Sequence, residues 1–145
     1  MDITEELGKR GIKMKKDYRN VIAWDMDNTL CNSIRRWHPE DILKVKPRKK
    51  LIKTLKELKK RGYKIIIFTR RDSCGKNARK LTIRWLKKYN IPYDKLITKK
   101  PHYDILIDDR ACSVHQYLTA DIIEKQLINA KKLIDKYKYN PKGKQ

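Results

Sequence analysis

The sequence predicts an α/β fold in which a short parallel sheet is covered by helices on both faces. Three observations carry that expectation. Short apolar runs end abruptly in polar or acidic residues, the form of buried parallel strands. Stretches with helical spacing separate them, which implies right-handed strand–helix–strand crossovers. Proline and glycine punctuate the junctions at the positions where helices begin and stop.

The elements follow in order. "VIAWD", from residue 21, is the first apolar run and ends on Asp25. Pro47 opens "PRKKLIKTLKELKKRG", in which Leu51, Ile52, Leu55 and Leu58 share one helical face and Gly62 lies past the end. "YKIIIFT" is the second strand, and the turn "RRDSCGKN" leads to a helix over about 77–89 with Ala78, Leu81, Trp85 and Leu86 inward. Asn90 caps that helix and Pro92 blocks its continuation. A brief strand in "YDKLIT" leads past Pro101 to "YDILIDD", a further apolar run ending in acid. The last helix starts near Asp121 with Ile122, Ile123, Leu127, Ala130, Ile134 and Tyr137 at helical spacing. The expected division is an N-terminal extension over 1–19, one folded domain over 20–138 and a basic tail over 139–145.

At 145 residues the chain is long enough to bury one core. No apolar run reaches the roughly 18 residues of a membrane span, and "MDITEELGKRGIKMKKDY" has no signal-peptide core. The expectation is a cytoplasmic protein. Cys31, Cys74 and Cys112 are odd in number and widely spaced, as reduced thiols are rather than a disulfide framework or a zinc site. Against 17 acids stand 38 Lys and Arg, a net charge of +21. Two readings are open: an anionic partner, nucleic acid or a phosphorylated substrate, or a lysine-rich surface with no partner.

In an open parallel sheet, ligands bind at the carboxyl ends of the strands. Asp25 and Asp27, Thr69 with Arg70, and Asp108 with Asp109 all fall at such ends, and Lys100 leads into the last of them. A single aspartate there reads as a cap or turn residue. Four converging carboxylates do not all stay ionised without a cation, and a hard divalent ion with oxygen ligands, Mg2+, fits that set.

These stretches carry a resemblance. "DMDNTL" resembles the DxDxT first motif of the haloacid dehalogenase superfamily, "IIIFTR" its second, "KKP" its third and "ILIDDR" its fourth. The similarity covers about residues 20–112, with all four motifs in family order. "KPHYDILIDDR" is similar to small phosphatase domains of the superfamily, including those of polynucleotide kinase-phosphatases.

The resemblance implies a three-layer α/β/α, Rossmann-like fold, and neither insertion point of this chain has room for a cap domain. It also implies roles. Asp25 would be the nucleophile that forms an aspartyl-phosphate, and Asp27 the acid and then the base. Mg2+ would lie between the phosphate, Asp25, the Asp27 carbonyl and Asp108, with Asp109 as alternative ligand. Thr69 would bond a phosphoryl oxygen and Lys100, with Lys99 competing for the role, would neutralise charge. Asn28 departs from the pattern, since the family most often has Gly there.

An open site admits bulky substrates. The loop "CNSIRRWHPED" offers Arg35, Arg36 and Trp37 to phosphate and base, or packs Trp37 over the sheet edge beside solvated arginines. Arg70 is expected to touch substrate. The functional expectation is a Mg2+-dependent phosphomonoesterase acting on a nucleotide or polynucleotide terminal phosphate. The alternatives are a sugar-phosphate phosphatase and a basic nucleic-acid-binding protein without turnover.

Overall fold

A computed structural model describes residues 20–33, 38 and 40–136 of the chain. Three strands, β1 (Val21–Trp24), β2 (Lys64–Phe68) and β3 (Lys95–Ile97), form one parallel sheet in the order β1-β2-β3. Trp24 pairs with Ile67, and Phe68 with Ile97. That register aligns the carboxyl ends of all three strands, so Asp25, Thr69 and Thr98 emerge along one edge of the sheet.

Among the described residues four α-helices accompany the strands: α1 (Asp41–Lys44), α2 (Lys49–Lys60), α3 (Ala78–Lys88) and α4 (Ala120–Lys136). In α2 the expected face is the buried one, Leu51, Ile52, Leu55 and Leu58, and each such side chain contributes about 1.5–3 kcal/mol by leaving water. Gly62 follows with φ +97°, a left-handed conformation that favours glycine. In α3, Ala78, Thr82, Trp85 and Leu86 are buried, whereas Leu81 is only half-buried. Trp85 donates its indole N–H to the Val45 carbonyl at 3.0 Å, which fastens α3 to the end of α1. Asn90 follows α3 with φ +52°, as a capping Asn does.

Helix α4 begins at Ala120, where the Thr119 hydroxyl accepts the Ile122 N–H at 3.3 Å. It packs on α2. The Thr54 hydroxyl donates to the Leu118 carbonyl at 3.0 Å, and Arg61 pairs with Asp121 at 2.9 Å and with Glu124. At the other end of the sheet the Asp94 carboxylate accepts the Ile65 N–H at 2.8 Å and the Lys59 ammonium at 2.7 Å. Those two donors, Lys59 first, hold Asp94 below the usual carboxylate range.

One expected element is absent. Residues 103–109 form no strand; Ile105 is 76% and Ile107 92% exposed. An apolar run becomes a strand only by exchanging backbone hydrogen bonds with a neighbour, and among the described residues β1 pairs with β2 alone. The sheet therefore has three strands where four were expected. Ile122 is likewise 37% exposed rather than inward, while Ile123 is buried. Among the described residues no helix is long and apolar enough to cross a membrane.

Candidate active site

The turn after β1 is wound tightly around one carbonyl. The Met26 oxygen accepts the N–H groups of Thr29, Leu30 and Cys31 at 3.0, 2.8 and 3.1 Å. Asn28 at its apex has φ +61°, a conformation that Gly adopts freely and Asn tolerates. Arg48 braces it from the start of α2, donating to the Asn28 carbonyl at 2.7 Å. Met26, Leu30 and Cys31 are fully buried beneath the turn. Asp25 and Asp27 are left on its solvent side, anchored from below.

Lys100 comes to this pair from β3. Its backbone N–H donates to the Thr69 carbonyl at 3.1 Å, and the Thr69 N–H donates to the Ile97 carbonyl at 2.8 Å. The Lys100 ammonium then lies 3.7 Å from Asp25 Oδ1 and over the rings of Phe68 and Tyr103, 5.1 and 5.3 Å from their centroids. Lys99 points elsewhere, exposed along a hollow beside Asp72 and Arg79. Burial pushes the Asp25 carboxyl above its ordinary value, against the pull of Lys100.

Asp27 has a partner that the sequence did not single out. Arg71 is 1% exposed and sends Nη2 to Asp27 Oδ1 at 3.0 Å and Nε to Oδ2 at 3.4 Å. The same guanidinium reaches the Thr82 hydroxyl and the Cys31 sulfur, both at 3.3 Å. A fork on both carboxylate oxygens fixes the plane of Asp27 before any substrate arrives. Burial pushes the Cys31 thiol up to about 12, which favours the thiol over the thiolate.

The other expected site residues lie apart or outside the description. Arg70 is exposed at the head of the 3-10 turn Arg71–Cys74, where its carbonyl accepts from Ser73. Arg35, Arg36 and Trp37 lie outside the described residues. Asp108 and Asp109 are exposed on the segment that forms no strand. Asp108 accepts the Arg110 N–H at 2.9 Å, which holds it below the usual carboxylate range, and Asp109 lies 3.8 Å from the Arg110 guanidinium. Among the described residues no group of three or more His, Cys, Asp and Glu could hold a metal ion. Asp25 and Asp27 supply two carboxylates, each with a basic side chain as neighbour, one short of such a group.

The arrangement brings together two carboxylates, a lysine and a buried arginine at the carboxyl end of a parallel sheet, where ligands of such sheets bind. No family model matches the chain. No curated protein matches it. Among solved structures it is similar to the crystal structure of a structural-genomics target from Vibrio cholerae. The two are 25% identical with a TM-score of 0.56, over 77% of this chain and 98% of that one. It is also similar to chains in two structures of the Pnkp1/Rnl/Hen1 complex, an RNA repair complex. Identities are 28% and 27% and the TM-score 0.47 in both, over 75% and 81% of this chain. The matched region spans 33% and 34% of those chains. The first likeness supports the α/β fold; the other two superpose too loosely to bear on this chain's chemistry.

Proposed function

We propose that the protein is a phosphomonoesterase that works through an aspartyl-phosphate on Asp25, with a nucleotide or polynucleotide terminal phosphate as substrate. The observation that carries the reading is the placement of the Lys100 ammonium 3.7 Å from Asp25 Oδ1. A carboxylate beside a cation at strand ends can attack phosphorus while the cation offsets charge on the phosphoryl oxygens. Asp25 forms the bond to phosphorus as the ester oxygen leaves, and a proton from Asp27 neutralises that oxygen. Water then gives a proton to Asp27 and displaces phosphate from Asp25, which restores both carboxyl groups. Arg71 keeps Asp27 oriented through both steps. Thr69, whose backbone is held by Ile97 and Lys100, is the residue that would bond a phosphoryl oxygen in this reading.

Mg2+ belongs to the proposal as a cofactor whose remaining ligands, Asp108 or Asp109, would have to come in from their exposed segment. Chelation tests it directly: activity lost in EDTA and restored by Mg2+ supports the ion, and activity unchanged in EDTA removes it.

The exposed position of Asp108 and Asp109 favours one other reading, a basic nucleic-acid-binding protein without turnover. An aryl phosphate assay separates the two. Phosphate release that Asp25→Asn abolishes supports the enzyme; no release by the wild-type chain, with or without Mg2+, supports the binding protein.

A further inference from the structure

Helix α3 presents two different faces. Thr82 on one face takes the Arg71 hydrogen bond, which ties the helix to Asp27. Another face forms a groove of about 850 Å3 with α1, lined by Leu43 and Lys44 from α1 and by Asn77, Lys80, Leu81 and Arg84 along α3. Glu40 at the start of α1 is its one acid.

The sequence of α3, "ARKLTIRWLKK", has five basic residues and no acid. Arg79 is committed to the fold, donating to the Leu96 carbonyl and the Thr98 hydroxyl, both at 3.2 Å. Lys80, Arg84 and Lys88 follow one another at four-residue steps, so they form one exposed ridge running about 12 Å along the helix. Lys76 in the preceding turn extends the series toward the strand ends. Like charges at that spacing repel and weaken a helix. Among the described residues Lys44, Lys80 and Arg84 have no hydrogen-bond or ion-pair partner. Among the described residues Glu40 is the one acid lining the groove to set against their repulsion. Leu43 and Leu81, both half-buried, supply an apolar floor between the rows of charge.

We infer that this groove binds a single-stranded polynucleotide. Phosphates would follow the ridge of Lys80, Arg84 and Lys88, with Lys44 facing them from α1. Unstacked bases would lie on Leu43 and Leu81. Regular cations match a polyanion of regular charge, and an apolar floor suits a strand whose bases are free, which a duplex does not offer. The inference deepens the phosphomonoesterase reading, because α3 starts at the strand-end site and the strand would run from there. The binding itself needs no turnover and is measured without it.

The test uses the full chain and a short labelled single-stranded RNA, with its DNA counterpart and the matching duplex, followed by fluorescence anisotropy as KCl rises from about 50 to about 200 mM. Four contacted phosphates give a log–log salt slope of about −3 for a single strand. The pair Lys80→Gln with Arg84→Gln is expected to weaken binding by about tenfold or more and to flatten the slope by about 1.4. The pair Lys53→Gln with Lys60→Gln on α2 removes the same charge and is expected to stay within about twofold, with circular dichroism confirming both folds. Equal losses in the two pairs, no loss in the groove pair, or tighter binding of duplex or of polyglutamate than of the single strand would overturn the inference. Aryl phosphate hydrolysis by the same samples reports on the other reading alone. Absent turnover with the expected binding pattern removes the enzyme and keeps the groove; turnover with no effect in the groove pair does the reverse.

Discussion

Arg71 decides how Asp27 behaves. A guanidinium that is 1% exposed has left water, and its cost is offset by Asp27, Thr82 and Cys31. Arg71→Met keeps most of the volume but removes every donor. Because Asp27 retains 24% of its side-chain exposure, the loss is discounted from the fully buried case to about 2–3 kcal/mol, read by urea denaturation. Asp27→Leu added to Arg71→Met should recover part of it, since neither charge is then left alone. Full additivity of the two losses would mean that the pair does not interact. Lys100 and Asp25 give a second prediction, in pH. Burial raises the Asp25 carboxyl above its ordinary 3.8, so the ionised nucleophile is lost as pH falls through that raised value. The acid limb of kcat/KM should therefore lie above 3.8. Lys100 pulls the other way, so Lys100→Met should move the limb further up as it lowers kcat by about 10²–10³-fold. A limb that stays put, or moves down, contradicts the pairing.

The segment 103–109 is where the elements part from the sequence. With Ile105 76% and Ile107 92% exposed, Ile105→Ser and Ile107→Ser should each change stability by no more than about 0.5 kcal/mol. Ile67→Ala, in the fully buried centre of β2, should cost about 2–5 kcal/mol. Thermal or urea unfolding measures all three, and a cost of several kcal/mol at Ile107 would put this segment inside the sheet. Helices α2 and α3 were legible because their signals are local: apolar spacing of 3.6 in both, a proline before and a glycine after α2, and an Asn after α3. β1 and β2 were legible as apolar runs with defined ends. "ILIDD" has the same local form, but a strand exists only with a partner, and partnership is not written in five residues. The site divides in the same way. Asp25, Asp27 and Thr69 could be placed because each directly follows a strand or its turn. Arg71 could not, since "RR" does not say which arginine a 3-10 turn points inward; the buried Thr82 eleven residues on was the one available sign.

The whole molecule carries more positive charge than its fold can pair. Of its 17 acids, Glu57, Asp121 and Glu124 converge on Arg61 and Asp94 is taken by Lys59, while 38 Lys and Arg share the total. Exposed pairs of this kind contribute about 0–1 kcal/mol each and weaken in salt. The surplus of +21 repels itself throughout the surface, which destabilises the compact state and keeps chains apart. The two terms respond oppositely to salt, and their numbers decide the outcome. Among the described residues the exposed pairs are few, whereas repulsion over distances beyond a Debye length of about 8 Å is largely removed at 0.15 M. Raising NaCl from about 0.01 to about 0.15 M should therefore raise Tm, by differential scanning calorimetry; a fall would mean that the ion pairs dominate. The same screening removes the repulsion that separates molecules. Ile105, Leu106 and Ile107 are exposed, and among the described residues β1 is paired on one side only, an arrangement that invites edge-to-edge association. Sedimentation at about 1 M salt, where the Debye length is about 3 Å, should show self-association in the wild-type chain and a monomer in Ile105→Ser/Ile107→Ser. Equal association in both would trace it to another surface, since the substitutions leave the net charge unchanged and remove only the apolar contact.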